Sequence, residues 1–253
     1  MKAKIISIAT HKGGTGKTVT AMALAAALAQ AGSRTLLIDL DPQGHSSIGL
    51  GVELADNDPT VKEIFSQSSV TANKVVKKTH LAKLDVLPSN ISLEKAAYFL
   101  YMKPKREELL KKALHNLLEQ YQYMIIDCPP SLGVLTETAI SSADLILVPC
   151  QMEARAGDGL VDLLEVVNII KGDDFENWRI VLTKFDNRKT VTNQAIMEAL
   201  STWKEKILKT SIPQSEPLNQ AQIERTDIFT FDSKSKGSLA YQALKDEVLQ
   251  YVR

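Results

Sequence analysis

Cysteine is nearly absent: Cys128 and Cys150 are the only two, they form no C-x-x-C pair, and both lie beside apolar runs that read as buried strands. That excludes a disulfide framework or a cysteine cluster bridging two subunits, and leaves two inert core thiols in a reducing compartment. An excess of either charge is missing as well. Thirty basic residues cancel thirty acidic ones, which argues against a constitutively basic nucleic-acid protein and leaves room for a local basic face. No apolar run approaches roughly eighteen residues, so nothing reads as a membrane span. The start of the chain lacks the charged-then-apolar order of a secretory signal. The expectation is a cytoplasmic protein. Aromatics make up only 6% of the chain, and Trp178 and Trp203 are expected to pack rather than to stack on bases. Repeats, low-complexity tracts and linkers are lacking too, so residues 1–253 read as one domain.

What the chain does have is alternation. Short apolar, β-branched runs at residues 4–9, 35–39, 84–87, 123–127, 145–148 and 179–183, with another at 206–212, read as strands. Most are continuously apolar, as parallel strands covered on both faces are. Helical patterns fill residues 19–30, 105–120, 157–171 and 191–204. Gly32 stands where a helix-ending glycine belongs, and Thr60-x-x-Glu63 resembles a capping box. The class expected is α/β: a doubly wound, mainly parallel sheet with helices on both faces and its ligand site at the carboxyl ends of the strands. Residues 51–90 are the least regular and are expected to be the mobile part.

Three motifs fall at predicted strand ends. The first is Lys12-Gly13-Gly14-Thr15-Gly16-Lys17-Thr18, straight after Ile5-Ile6-Ser7-Ile8-Ala9. A strand, a glycine turn and a helix is the order that wraps backbone N–H groups around phosphates, with Lys17 reaching the β/γ-phosphates and Thr18 available to Mg²⁺. The usual first glycine of this loop is replaced by His11, and Lys12 adds a second lysine. The second motif, Ile38-Asp39-Leu40-Asp41-Pro42-Gln43-Gly44, delivers two carboxylates at i and i+2. Beside a Mg-nucleotide they could orient the metal's waters and the attacking water; alone they read as a capping and a turn aspartate. The third, Ile125-Ile126-Asp127-Cys128-Pro129-Pro130, ends an apolar strand in an aspartate, the Walker-B arrangement. No second histidine or carboxylate stands at ligand spacing from His45.

On these segments the chain resembles the ParA/MinD family of deviant Walker-A P-loop ATPases, and within it the short Soj-like ParA type. Ile212-Pro213 and Ser235-Lys-Gly-Ser-Leu-Ala-Tyr241 match as well. The resemblance implies an ATP- and Mg²⁺-dependent ATPase that forms a homodimer around two nucleotides. Lys12 would cross to the partner's phosphates, Gly14 would let two backbones approach, and Gly13, Thr15, Gly16, Lys17, Thr18 and Val19 would line the nucleotide. Asp41 would position the attacking water; Thr18, Asp39 and Asp127 would serve the metal. Adenine would lie near residues 184–186 and 213–218, with Pro213 the chosen contact.

The resemblance further implies nonspecific double-stranded DNA binding, stimulation by a ParB-like partner and a nucleoid location. Arg188 stands where one DNA-binding arginine is expected, with Lys189, Lys206, Lys209, Arg225, Lys234 and Lys236 as further candidates. A second expected basic position is Pro217 here, preceded by Glu216. Three other readings stand beside partition: positioning of a protein cargo, a MinD-like membrane positioner, and a non-hydrolysing scaffold. The tail from Ala243 to Arg253 lacks the basic amphipathic run of a membrane helix, and stable membrane association is not expected.

Overall fold

The computed structural model describes residues 2–66, 70–153 and 156–252. In chain order the elements are β1 (Lys4–Ile8), α1 (Lys17–Gln30), β2 (Thr35–Asp39), α2 (His45–Gly49), α3 (Val61–Ser66), β3 (Lys77–Lys78), β4 (Leu84–Leu87), α4 (Leu93–Leu100) and α5 (Leu109–Ala113). There follow β5 (Tyr123–Asp127), α6 (Val134–Ser142), β6 (Leu145–Gln151), α7 (Asp158–Lys171), β7 (Trp178–Phe185), α8 (Thr190–Ala199), β8 (Ile207–Pro213), α9 (Glu216–Ile223), α10 (Ile228–Asp232) and α11 (Lys236–Val248). One eight-stranded sheet runs β3-β4-β2-β5-β1-β6-β7-β8. Every pairing is parallel except the short edge strand β3, which runs antiparallel to β4. The expected doubly wound α/β architecture is the one found.

The order of the strands explains where a ligand goes. From β1 the chain crosses to β2 and β4 on one side, returns at β5, and continues to β6, β7 and β8 on the other. The reversal beside β1 opens a crevice at the carboxyl ends. Residue parity decides which helices cover which face. Ile6, Ile8, Leu37, Ile125 and Leu147 pack under α1 and α9–α11. Their neighbours Ile5, Leu36, Ile38, Met124, Ile126 and Ile146 pack under α3–α8. Such strands must be apolar throughout, which is why the sequence shows runs and not alternation.

Helix α1 is wrapped on nearly every side. Residues Thr20 to Ala29 are all buried, and a helix hydrophobic all round belongs inside a core. Six of its residues are alanine, so it lies close to the sheet and to α11, where the Thr20 and Tyr241 hydroxyls share a hydrogen bond of 3.1 Å. The helix ends as expected at Gly32, with φ 95. Ser33 N–H donates to Leu28 O at 3.1 Å and Gly32 N–H to Ala29 O at 2.9 Å, a Schellman closure.

The structure differs from the sequence reading at several elements. The helix expected over 105–120 is broken into α5 flanked by 3-10 turns at Arg106–Glu108 and His115–Leu117, after Lys105 takes φ 52. The helix expected over 191–204 ends at Ala199, and residues 201–206 form a 3-10 segment. Residues 51–90 are not shapeless: they carry α3, opened by Thr60 N–H donating to Glu63 at 2.8 Å, and the strands β3 and β4. Of that stretch, residues 67–69 lie outside the described residues. Helices α4 and α6 fall where no helix was expected. Trp178 is buried and Trp203 packs against the core.

Candidate functional site

The register of the central strands sets the site. Ile8 on β1 is level with Asp127 on β5, and Asp127 is level with Asp39 on β2. Three neighbouring strands therefore end at one height, and each releases its motif there. The phosphate loop rises from β1, the Asp39–Asp41 turn from β2, and the Pro129-Pro130 loop from β5. Lys12 to Thr18, Asp39, Asp41 and Asp127 are brought to one edge of the sheet.

The loop itself needs its glycines at two positions. Gly14 has φ 74 and Gly16, the residue before α1, has φ 87, a region where a Cβ is strained. Gly16 O accepts the first helical bond, from Thr20 N–H at 2.8 Å. The loop is tied to β7 by the Thr183 hydroxyl, which donates to Thr15 O at 2.8 Å. Lys17 is buried, and its ammonium donates to Lys12 O at 2.9 Å. Burial holds its pKa below the ordinary lysine value, with the Asp127 and Asp41 carboxylates pulling the other way. Thr18 and Val19, on the first turn of α1, are half-buried.

The two carboxylates after β2 do different things. Asp39 is fully buried; its Oδ2 accepts from the Ser47 hydroxyl at 2.6 Å and Ser47 N–H at 2.9 Å, and its Oδ1 from Asp41 N–H at 3.1 Å. Burial raises its pKa, against these hydrogen bonds. Among the described residues Asp41 spends only Oδ1, on Gln43 N–H at 2.9 Å. It also lines a cleft of about 470 Å³ with Glu94, Tyr98, Tyr101, Pro129 and Pro130. Gly44 closes the turn with φ 65, and a Cβ there would lie 2.8 Å from Ser89 O. Replacing Gly44 by Ala should therefore lower stability by roughly 2–4 kcal/mol, combining left-handed strain with an overpacked backbone contact. Urea unfolding of Gly44→Ala measures this.

Asp127 is as fully buried as Asp39 but lacks its hydrogen-bond partners: among the described residues neither carboxylate oxygen has one. Burial, then the nearby Asp39 charge, pushes its pKa well above the ordinary range; the Thr18 and Ser46 hydroxyls, near but outside bonding geometry, work against the shift. Orphaned buried carboxylates are costly. This one, with the orphaned Ser46 hydroxyl beside it, suits a hard cation that brings its own water. Among the described residues no group of three or more His, Cys, Asp or Glu could hold a metal ion unaided. That fits Mg²⁺, which keeps waters and leans on phosphates plus one or two carboxylates.

The remaining candidates scatter. Pro213 ends β8 in register with Phe185, on the same edge as the phosphate loop. Arg188 is exposed but held by Asp186 through two bonds, Nε to Oδ1 at 2.9 Å and Nη2 to Oδ2 at 2.8 Å. That pair holds the Asp186 carboxyl at about 2. Lys189, Arg225, Lys234 and Lys236 are exposed. Lys206 sits at the other end of the sheet, paired with Glu176 and lying 5.0 Å from the Trp178 ring. The edge strand β8 carries Lys209 toward that same end, its backbone N–H donating to Glu247 at 2.7 Å. The structure thus does not bring Lys206 to Arg188. Both cysteines are free and buried, and burial pushes the Cys150 thiol up to about 11 and the Cys128 thiol higher.

Sequence reasoning missed Ser46 and Ser47, although they directly follow the Gly44 turn, and Glu153 and Asp162. Glu153 pairs with Lys12, and Asp162 accepts from His11 Nδ1 at 2.7 Å. Nothing local in the sequence marks those last two partners. Among the described residues no helix is long and apolar enough to cross a membrane.

Comparison with known proteins agrees with this geometry. Residues 3–182 match a family described as an AAA domain. The chain is 38% identical over 248 residues to the sporulation initiation inhibitor protein Soj of Bacillus subtilis, covering 97% of this chain and 98% of Soj. Among solved structures, a Mycobacterium smegmatis cobyrinic acid a,c-diamide synthase with bound ATP analogue and magnesium is 31% identical, with a TM-score of 0.83 over 98% of this chain and 95% of that one. A Cyanothece McdA–ATP complex superposes with a TM-score of 0.86 at 25% identity, over 98% of this chain and 97% of that one.

Proposed function

The chain belongs to the Soj/ParA family of P-loop ATPases, and from that premise we propose that it is a Mg²⁺-dependent ATPase whose ATP-bound dimer holds DNA and is released by hydrolysis. The carrying observation is the convergence of Lys17, Asp39, Asp41 and the orphaned Asp127 at strand ends that lie level with one another. In this reading residues 1–253 act as one cytoplasmic ATPase domain, partitioning plasmid or chromosomal DNA on the nucleoid with a ParB-like stimulator.

Hydrolysis asks little covalent chemistry of the protein, because phosphoryl transfer is governed by positioning and charge. The N–H groups of residues 13–18 would cradle the phosphates, and Lys17, already short of solvent, would exchange its bond to Lys12 O for phosphate oxygens. Thr18, Asp39 and Asp127 would hold Mg²⁺, which would supply charge neutralisation on the phosphates. Asp41, with Oδ2 uncommitted among the described residues, would orient the water that attacks the γ-phosphorus while the bond to the β–γ bridging oxygen breaks. The products are ADP and inorganic phosphate. Lys12 would leave Glu153 and meet the partner's nucleotide. Pro213 would border the adenine.

A second reading has one observation in its favour. Arg188 is neutralised by Asp186 and Lys206 stands apart, so the basic face reduces to Lys189, Arg225, Lys234 and Lys236. A protein cargo moved by the same ATP cycle would need no such face. Light scattering with Mg²⁺ and a non-hydrolysable ATP analogue tests the dimer common to both. The native protein should double in mass and Lys12→Ala should stay monomeric at equal concentration. A native protein that stays monomeric overturns the proposal.

A further inference from the structure

Lys12 and His11, the two residues that make this phosphate loop unusual, are both held by the same neighbouring segment. Lys12 Nζ pairs with Glu153, in the loop that follows β6, and His11 Nδ1 pairs with Asp162 Oδ2 at 2.7 Å, on α7. Between these anchors α7 lies directly on the loop. A Cβ built at Gly159 would be 3.5 Å from His11 Cβ and 3.8 Å from Lys12 Cβ. The position of Glu153 is itself fixed. Met152 N–H donates to Thr183 O at 3.2 Å, and the Thr183 hydroxyl donates to Thr15 O at 2.8 Å. The phosphate loop, β7 and the Glu153 turn therefore form one connected unit, and the Lys12 side chain is folded back onto its own protomer.

We propose that Glu153 is a latch that holds Lys12 in cis and sets the threshold for ATP-driven dimerisation. The inference rests on the dimer reading above: a lysine that serves a partner's nucleotide has to leave its own carboxylate first. Both partners are roughly two-fifths exposed, at 41% for Lys12 and 38% for Glu153, so the pair is weak enough to open. An exposed ion pair shifts an equilibrium by about 2- to 5-fold. A symmetric dimer opens two latches, so the factor enters squared, about 4- to 25-fold in the dimer dissociation constant. Glu153 is a positioning residue acting through Lys12.

The test is light scattering of the full chain over a concentration series with Mg²⁺ and a non-hydrolysable ATP analogue, comparing the native protein with E153Q and E153D. E153Q should tighten the dimer by about 4- to 25-fold, and E153D, which keeps the charge, should return toward the native value. Raising salt from about 50 to about 300 mM should narrow the gap between native and E153Q, because screening opens the latch without mutation. A native protein that dimerises while E153Q gains nothing, or weakens, overturns the latch alone. A native protein that never dimerises overturns the dimer reading and the latch with it.

Discussion

Asp41→Ala is expected to cut ATP turnover by about 100- to 10,000-fold, the range a positioned proton acceptor contributes, while leaving ATP-dependent association intact. The asymmetry follows from what Asp41 touches. Its Oδ1 accepts only Gln43 N–H, and its backbone N–H still donates to Asp39 whatever the side chain. The metal-side aspartates keep their places, because Asp39 is fixed by Ser47 and Asp127 by the register with β1 and β2. The variant should therefore accumulate in the ATP-bound form. In that form it should hold a random DNA duplex, with affinity falling steeply as salt rises, since a phosphate-dominated contact releases counterions. Steady-state ATPase assays and binding to a labelled duplex at two salt concentrations measure both halves. Near-native turnover in Asp41→Ala would remove Asp41 from the mechanism. A stable dimer indifferent to DNA at low salt would move the reading to a protein cargo.

Asp127→Asn is expected to do two opposite things: weaken Mg²⁺-dependent ATP binding by roughly 10- to 100-fold and make the ligand-free protein more stable. The second follows from proton linkage. Burial lifts the folded-state pKa of Asp127 above its unfolded value, so between the two values the native state binds more protons than the unfolded one. Stability then falls as pH rises from about 4, where unfolded carboxylates ionise, up to the raised folded value. An asparagine carries no such proton, so the variant escapes that fall, and its advantage should grow with pH. At pH 8 the gain should be about 1–3 kcal/mol, the scale of removing a buried unpaired charge less the cost of the amide that stays unpaired. Lys17 loses a compensating charge in the exchange, which trims the gain. Urea midpoints at pH 5 and pH 8 decide it: a variant less stable than native at pH 8 would mean that Asp127 is not a strained group.

The central half of the fold was legible because its physics is local. Strands β2, β4 and β5 fall at the expected residues, since strands buried on both faces are mostly apolar along their length, with Asp85 of β4 an exception paired to Lys78 and Tyr121. The three motifs were legible as a set because each sits where an apolar run stops. Less could be read where tertiary contact overrides pattern. The run from 105 to 120 is leucine-rich at helical spacing, yet only α5 is helical between two 3-10 turns, while Leu110, Leu114 and Leu117 still all reach one core. Helix α6 begins after a Pro-Pro-Ser-Leu-Gly stretch that reads as loop, and its small polar residues give no amphipathic stripe: Thr136, Thr138 and Ser142 are buried. At the site, carboxylates could be found from sequence, but not their fates. That Asp39 would be saturated by Ser47, Asp127 left bare and Arg188 neutralised by Asp186 depends on packing at the Gly44 turn and at the carboxyl ends of β5 and β7.

The enclosure of α1 has a mechanical corollary. A helix gripped on all sides by alanine-thin contacts has no slack into which it could tilt or slide, so the loop mounted on its first turn behaves as a fixed anvil. Rearrangement on arrival of a triphosphate is then left to the surroundings: the turn beyond β2, the double-proline bend, and the Lys12 side chain itself. Substitutions that enlarge the alanines of α1 would jam the anvil's seat, whereas changes in the turn beyond β2 or the double-proline bend would retune timing and leave the grip itself untouched.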